Sequence, residues 1–397
     1  MKFYMDAGVF KSKIERALIV TRRVRKEDPE FIGCIKIIAD KEKNTVHISA
    51  TNIGTYINIK CVSSEVDVAE SGEAVLDSDT IKRLFNVTGR CLYYSDNDSL
   101  AAKNNRKATR VPSKDVEWPE FPDTSDRTIM AYDVDNEDFI STMENLQNFV
   151  SNNMARPTYT GFNLNAKQHR MSAVSGYHVL DRVVNWEFSG TDKINIPLVI
   201  LKELKKISAK WTNKLFFYVC DKKRYLQIIG CDFEYTVRLI DGDFLDVERA
   251  IPKDLKYSFK LDSKKLADVA KEYESYNPYD DKVPMSFVNV NGDMYSVFRR
   301  SDYETCDSLG GINTRSSIGN LPDDFYAAMD PEYIRDVADV FKKLDDSVTV
   351  CCDGKESSPW VFTCYDNMGY RAMTLPVRRK EGAQDVARSA VNSMLAA

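Results

Sequence analysis

The feature that most restricts the fold is a repeat. Three times the chain opens a stretch with a helix-like segment, at 9–22, 136–148 and 262–273. Phe10, Ile14, Ala17 and Leu18 recur at helical spacing in the first, as do Leu266, Val269, Ala270 and Tyr273 in the third. Asp262-Ser263 predicts an N-cap. A second helix-like segment follows each time, at 77–85, 197–207 and 330–344. Asp330-Pro331 joins a capping carboxylate to a proline at the first helical position, and Pro197 plays the same opening part. Both series recur at intervals of about 120 to 130 residues, the usual size of a domain.

Between the helices lie short alternating runs such as 45–50, 214–220, 225–229 and 285–290. Asp241-Gly242 and Asn291-Gly292 mark turns. Many strands with two helices per repeat predict an α+β chain of three repeated domains, each with antiparallel sheet. The expected boundaries are 1–127, 128–254 and 255–379, followed by a tail at 380–397. A chain of 397 residues is too long for one comfortable core, which agrees with several domains. No run of eighteen apolar residues occurs, and the start has no long apolar core, so a soluble, cytoplasmic protein is expected.

The nine cysteines show neither a C-x-x-C pair nor Cys/His ligand spacing. Buried free thiols in a reducing compartment are therefore expected, and no metal site. Hydrolase elbows, phosphate loops and dinucleotide fingerprints are missing. The carboxylates of Asp96-Asn97-Asp98-Ser99 and Asp241-Gly242-Asp243 read as turn chemistry, since no later Glu completes a calcium loop. The expectation is a binding protein with no catalytic residues and no cofactor. One alternative is an enzyme, a nuclease or hydrolase that gathers carboxylates from distant segments. The other is a structural protein that assembles without DNA.

The net charge of −5 by itself speaks against a nucleic-acid binder. The cations are nevertheless grouped on the helices: Lys11, Arg16, Arg22, Arg23 and Arg25 on and after the first; Lys202, Lys205 and Lys206 at i, i+3, i+4; Lys264 and Lys271 two turns apart; Lys342 and Lys343 at the last helix end. Two readings fit them. They are solvated faces, with some lysines favouring helix C-termini, or they are a stripe for sequence-independent phosphate contact.

Four stretches, in register with the repeat, carry a resemblance. They are Met1-Lys2-Phe3; 156–162 (RPTYTGF) followed by 173–180 (AVSGYHVL); 241–252 (DGDFLDVERAIP); and 375–378 (LPVR). Over residues 1–379 the chain resembles the bacterial DNA polymerase sliding clamp, the β subunit of the replicative DNA polymerase (DNA polymerase III), as a chromosomal or a divergent, phage-encoded member. The resemblance implies a head-to-tail homodimer whose domains form a ring, with the helices facing encircled double-stranded DNA and the cations above facing its phosphates. It implies DNA replication as the setting, processivity as the role, and three kinds of partner: the replicative polymerase, the clamp loader and other proteins carrying a clamp-binding motif. These would dock a short peptide in a groove. Tyr159, Val174, Gly176, Tyr177, His178 and Val179 fall on one part of that groove, and Leu245, Arg249 and Ala250 on a second. Asp330, Tyr333, Ser358, Thr374, Leu375, Pro376, Val377 and Arg378 fall on the third. Dimer contacts are expected near 106–111 and 273–276. The sequence departs from the family at Ser175, His178 and Leu245. His178 would make peptide binding pH-sensitive. It also departs in the tail, expected to be a poorly ordered end or, alternatively, a cover over the groove.

Overall fold

The computed structural model describes residues 1–96, 98–208, 212–276, 283–300, 303–311, 321–364, 369–378 and 381–397. The described chain is α+β, and its sheets are built from antiparallel strand pairs. Seven α-helices occur among the described residues: α1 (Ala7–Ala17), α2 (Asn136–Leu146), α3 (Val199–Ile207), α4 (Val247–Ala250), α5 (Ser263–Ser275), α6 (Pro331–Phe341) and α7 (Ala383–Ala396). No helix among them is long and apolar enough to cross a membrane.

One junction explains where four of the helices start. A strand runs straight into a helix, and an aspartate at the turn caps it. Asp6 accepts from the backbone N–H of Gly8 and Val9, Asp135 from Asp138, Asp262 from Lys265, and Asp330 from Glu332. The carboxylate takes donors that the first turn cannot satisfy internally, and its charge suits the helix N-terminus. Each helix then buries one stripe. On α3, Ile200, Leu201, Leu204 and Ile207 face inward; on α5, Leu266, Val269, Ala270 and Tyr273 do.

The segment expected as a helix at 77–85 differs. Asp77 spends its carboxylate on Asp79 and Thr80, in a turn before the helical residues. Ile81–Asn86 has no side-chain cap and winds as a 3-10 helix.

The chain forms two compact units. Unit 1 comprises Met1–Ser141 and Trp186–Asp241; unit 2 comprises Thr142–Asn185 and Gly242–Ala397. Residues expected as one middle domain are thus shared between two units. Unit 1 holds a five-stranded sheet with Ala108–Pro112 at one edge, and a nine-stranded sheet in which Phe233–Arg238 pairs with Thr55–Cys61. In unit 2, seven strands lie in the order Gly161–Asn165, Arg170–Val174, His178–Val183, Tyr370–Thr374, Trp360–Thr363, Ser347–Cys352, Tyr257–Asp262. A four-stranded sheet runs Glu304–Gly311, Asp293–Arg299, Met285–Val290, Tyr326–Met329. Its hairpin at Asn291-Gly292 puts both turn residues at positive φ (55° and 85°), as a two-residue turn with right-handed strand twist requires.

The tail is not a poorly ordered end. Residues 383–396 form α7, whose Ala387, Ala390 and Val391 pack on Val288, Val290, Tyr295, Val297, Tyr326 and Ala328 of the four-stranded sheet. Small residues at i, i+3, i+4 let the helix lie close on the strands.

All nine cysteines are free thiols. Burial pushes Cys61 up to about 12 and Cys220, Cys306 and Cys352 up to about 11; Cys231 alone is exposed.

Candidate peptide groove and basic helix faces

The groove residues are organised by the seven strands of unit 2. Register places Val174, Val179, Met373, Val361 and Cys351 in one row across five neighbouring strands. Two residues along each strand, on the same face by the pleat, Ser172, Asp181, Arg371 and Thr363 form a second, polar row. The first row is covered by Val247 and Ile251, with Tyr159, Phe244 and Leu255 at the margin. Val247 and Ile251 are four apart, so α4 and the residue after it lay one side on the apolar row.

The polar row holds the same segment by charge. Asp181, with a fully buried side chain, accepts from Arg170, from Ser172 Oγ (2.6 Å) and from Arg371 Nε (2.7 Å). Both arginines reach on to Glu248 of α4, Arg371 at 2.9 Å and Arg170 at 3.3 Å. Hydrogen bonding from Arg371 pulls the Glu248 carboxyl below its ordinary value. Two cations and two anions thereby neutralise one another, which buried charge needs.

Alternation sends His178 and Thr374 to the opposite face. They pair with each other across the strands and are 3% and 0% exposed. The His178 ring lies between Phe149 (centroids 4.7 Å apart) and Tyr333 (4.4 Å), with Ser175 Oγ at Nδ1 and Asp336 3.5 Å from Nε2. Asp336 is also held by Asn148 and Arg335. His178 and Thr374 therefore do not line an open groove, and Val174 and Val179 lie under the α4 segment. These four side chains are buried, behind the exposed residues of the rim.

What stays accessible is the rim. Tyr177 is 62% exposed and stacks on Tyr333 (6.2 Å, 14° between planes), with Gly176 exposed beside it. Leu245 and Leu375 are each 37% exposed. Arg249 reaches out beside Asp246 (3.3 Å), and Ala250 and Tyr159 are half-buried. Asp330 caps α6, and Ser358 is half-buried at a turn. A cavity of about 510 Å³ is lined by Glu356, Ser357, Leu375, Pro376, Val377 and Arg378. The segment 375–378 is not the end of the last strand, which stops at Thr374. Pro376 has no N–H for the ladder. Leu375 N–H donates to Tyr177 O (2.9 Å), and Val377 N–H to Ala328 O (2.7 Å) on the four-stranded sheet.

The cations divide. Lys202, Lys205 and Lys206 are exposed on α3, and Lys264 and Lys271 on α5, opposite the buried stripes. Arg23 and Arg25 are exposed beyond α1. Lys11 is within 3.8 Å of Glu15, Arg22 is bound to Asp28 at 2.6 Å, Lys342 is bonded to Asp339, and Lys343 is 3.4 Å from Asn145. Arg16 is a correction. It is 7% exposed, forks onto both Asp232 oxygens (2.6 and 2.8 Å) and donates to Ile207 O (2.8 Å), so three of its five N–H donors are committed inside unit 1 and the guanidinium is buried away from a phosphate. Lys13 joins it on Asp232 at 2.8 Å. Burial opposes the Asp232 charge, but these hydrogen bonds outweigh it and hold the carboxyl at about 2.

No group of three or more His, Cys, Asp or Glu side chains converges as a metal site among the described residues. Asp96 accepts from Ser99 Oγ at 2.7 Å and faces Arg110 at 3.0 Å, which is turn and ion-pair chemistry; Asn97 lies outside the described residues.

Sequence reasoning missed Val247, Ile251, Val361, Met373 and the Arg170–Asp181–Arg371–Glu248 network. Strand parity counted from Val179 would have found Asp181, and the i, i+4 spacing Val247 with Ile251; Met373 needs the register between two strands. Nothing local links the four charges.

No family model matches the sequence, and no curated protein does. Solved structures do. The DNA polymerase sliding clamp from Bacillus subtilis is 14% identical with a TM-score of 0.81, covering 96% of this chain and all of that one. The β subunit from DNA polymerase of Streptococcus pyogenes is 12% identical with a TM-score of 0.80, again over 96% and 100%. The DNA polymerase III β subunit from Thermotoga maritima is 18% identical with a TM-score of 0.76 over the same shares. The chain has the sliding-clamp fold.

Proposed function

We propose that this chain is a DNA sliding clamp: a non-enzymatic homodimer of three-domain subunits that encircles duplex DNA and tethers the replicative polymerase, the clamp loader and other motif-bearing partners. The observation that carries the reading is the likeness to sliding clamps over 96% of this chain and the full length of theirs. Two further features support it. Exposed lysines on α3 and α5 suit water-mediated, sequence-independent phosphate contact, which leaves a ring free to slide. Among the described residues the strands Ala108–Pro112 and Glu304–Gly311 end their sheets, so two copies placed head to tail would have sheet edges to join.

The groove of unit 2 is the proposed docking site for partner peptides. Leu375 and Leu245 offer apolar contact, the Tyr177 ring a flat face, and Arg249 and Arg378 charge at the rim. A loading assay tests the main reading. Chain loaded by its clamp loader onto nicked circular DNA should remain through gel filtration in high salt and fall off when the circle is cut. Equal retention on circular and linear DNA would overturn it.

A further inference from the structure

We propose that α7 is a brace for the groove wall formed by Leu375–Arg378, and not a cover over the groove. The proposal rests on the peptide-groove reading above. Beyond Thr374 the wall leaves its sheet. Two backbone hydrogen bonds hold it, Leu375 N–H to Tyr177 O at one end and Val377 N–H to Ala328 O at the other, with Pro376 unable to donate between them.

The second anchor is where α7 acts. Ala328 belongs to Tyr326–Met329, an edge strand of the four-stranded sheet. Ala387, Ala390 and Val391 of α7 share one buried cluster with Tyr326 and Ala328 of that strand. Gln384 Nε2 donates to Asp324 O (2.6 Å), and Arg388 donates to Asp323 O. So α7 lies mainly on the neighbouring strands of that sheet, shares a buried cluster with the strand that receives Val377, and is bonded to the turn leading into it. Val377 and α7 are close in sequence and fixed to the same sheet, so docking the helix restricts the wall.

The wall residues line the 510 Å³ cavity, whereas none of the residues lining it belongs to α7. A cover would line it. A brace instead acts on the fraction of molecules whose wall is in place, and the apparent peptide Kd rises in proportion as that fraction falls.

The test compares the full chain with Val391→Asp, which puts a carboxylate into the buried cluster, and with Ser389→Pro, which breaks α7 at an exposed position. Asn392→Asp, also exposed, is the control. Hydrogen exchange reads the Leu375 and Val377 amides, and fluorescence anisotropy reads a labelled Gln-Leu-Phe-type peptide. With α7 undocked, both amides should exchange about ten-fold faster while those of Tyr370–Thr374 hold, and the peptide should bind about ten-fold more weakly. Unchanged exchange overturns the brace, and tighter peptide binding identifies a cover instead. Should the unaltered chain bind no peptide, the groove reading fails, and the exchange of the two amides alone decides the brace.

Discussion

Asp181 is the position where one substitution tests most of unit 2. Its side chain is fully buried, and it is the shared acceptor for Arg170, Arg371 and Ser172. Replacing it with alanine leaves two guanidinium groups that are only 17% and 19% exposed, with Glu248, one-third exposed, as their remaining carboxylate. Removing one partner of a buried pair costs about 3–5 kcal/mol, because the other charge is left without compensation. Glu248 stays within reach of both arginines, so the lower end, about 3 kcal/mol, applies here. For a folding unit of this size that is a fall in Tm of about 6–12 °C. Calorimetry on the full chain should show one transition moving by that amount while the other stays. Asp181→Asn keeps a hydrogen-bonding acceptor for Ser172 but not the charge, and should lose nearly as much. A shift under about 2 °C for Asp181→Ala, or an unshifted Asp181→Asn, would refute the argument that charge compensation holds α4 against the sheet.

Two further outcomes follow from unit 1 and the groove. The Asp232 carboxyl titrates at about 2 in the folded chain against 3.8 ordinarily, so it stabilises above pH 4 and that contribution is lost as pH falls from 4 to 2. The shift corresponds to about 2 kcal/mol, so Asp232→Asn should lower neutral-pH stability by about that amount and flatten the acid limb of a denaturant-midpoint profile between pH 4 and 2. An acid limb as steep as that of the unaltered chain would count against the Lys13–Arg16–Asp232 cluster as its source. At the proposed groove, Leu375→Asp should weaken a Gln-Leu-Phe-type peptide by at least about ten-fold with no change in melting, since the side chain is 37% exposed and lies outside the core; unaltered affinity in an anisotropy titration would remove Leu375 from the proposed site.

The helices were legible because their signals are local. An aspartate at the end of an alternating run, followed by apolar residues at 3.6 spacing, opens four of the five expected segments that are α-helical; the fifth, Val199–Ile207, has no side-chain cap and rests on its apolar stripe. At 77–85 the same residues fail because Asp77 caps too early. The strands at 214–220, 225–229 and 285–290 were equally plain. The groove was not plain from periodicity. It was reached through a resemblance that treats 176–179 as one contiguous run, while a strand sends alternate residues to opposite faces. His178 and Val179 are neighbours in sequence and back different walls. Arg16 looked like another surface cation because its partner, Asp232, lies more than two hundred residues away. The tail was expected to be a poorly ordered end because alanines carry its packing face, and small residues signal burial poorly until the strands they lie on are known.

The thiols have a practical consequence in labelling chemistry. A thiol titrating near 11 or 12 is ionised in only about one molecule in ten thousand or fewer at pH 7, and four of the nine here behave so. Cys231 is the one exposed thiol, at the turn between Tyr225–Ile229 and Phe233–Arg238. A maleimide dye added briefly at neutral pH should favour that turn, next to the Asp232 that Lys13 and Arg16 grip. The unaltered sequence therefore brings its own attachment point for a fluorophore, and the dye's anisotropy would report whether that grip is closed.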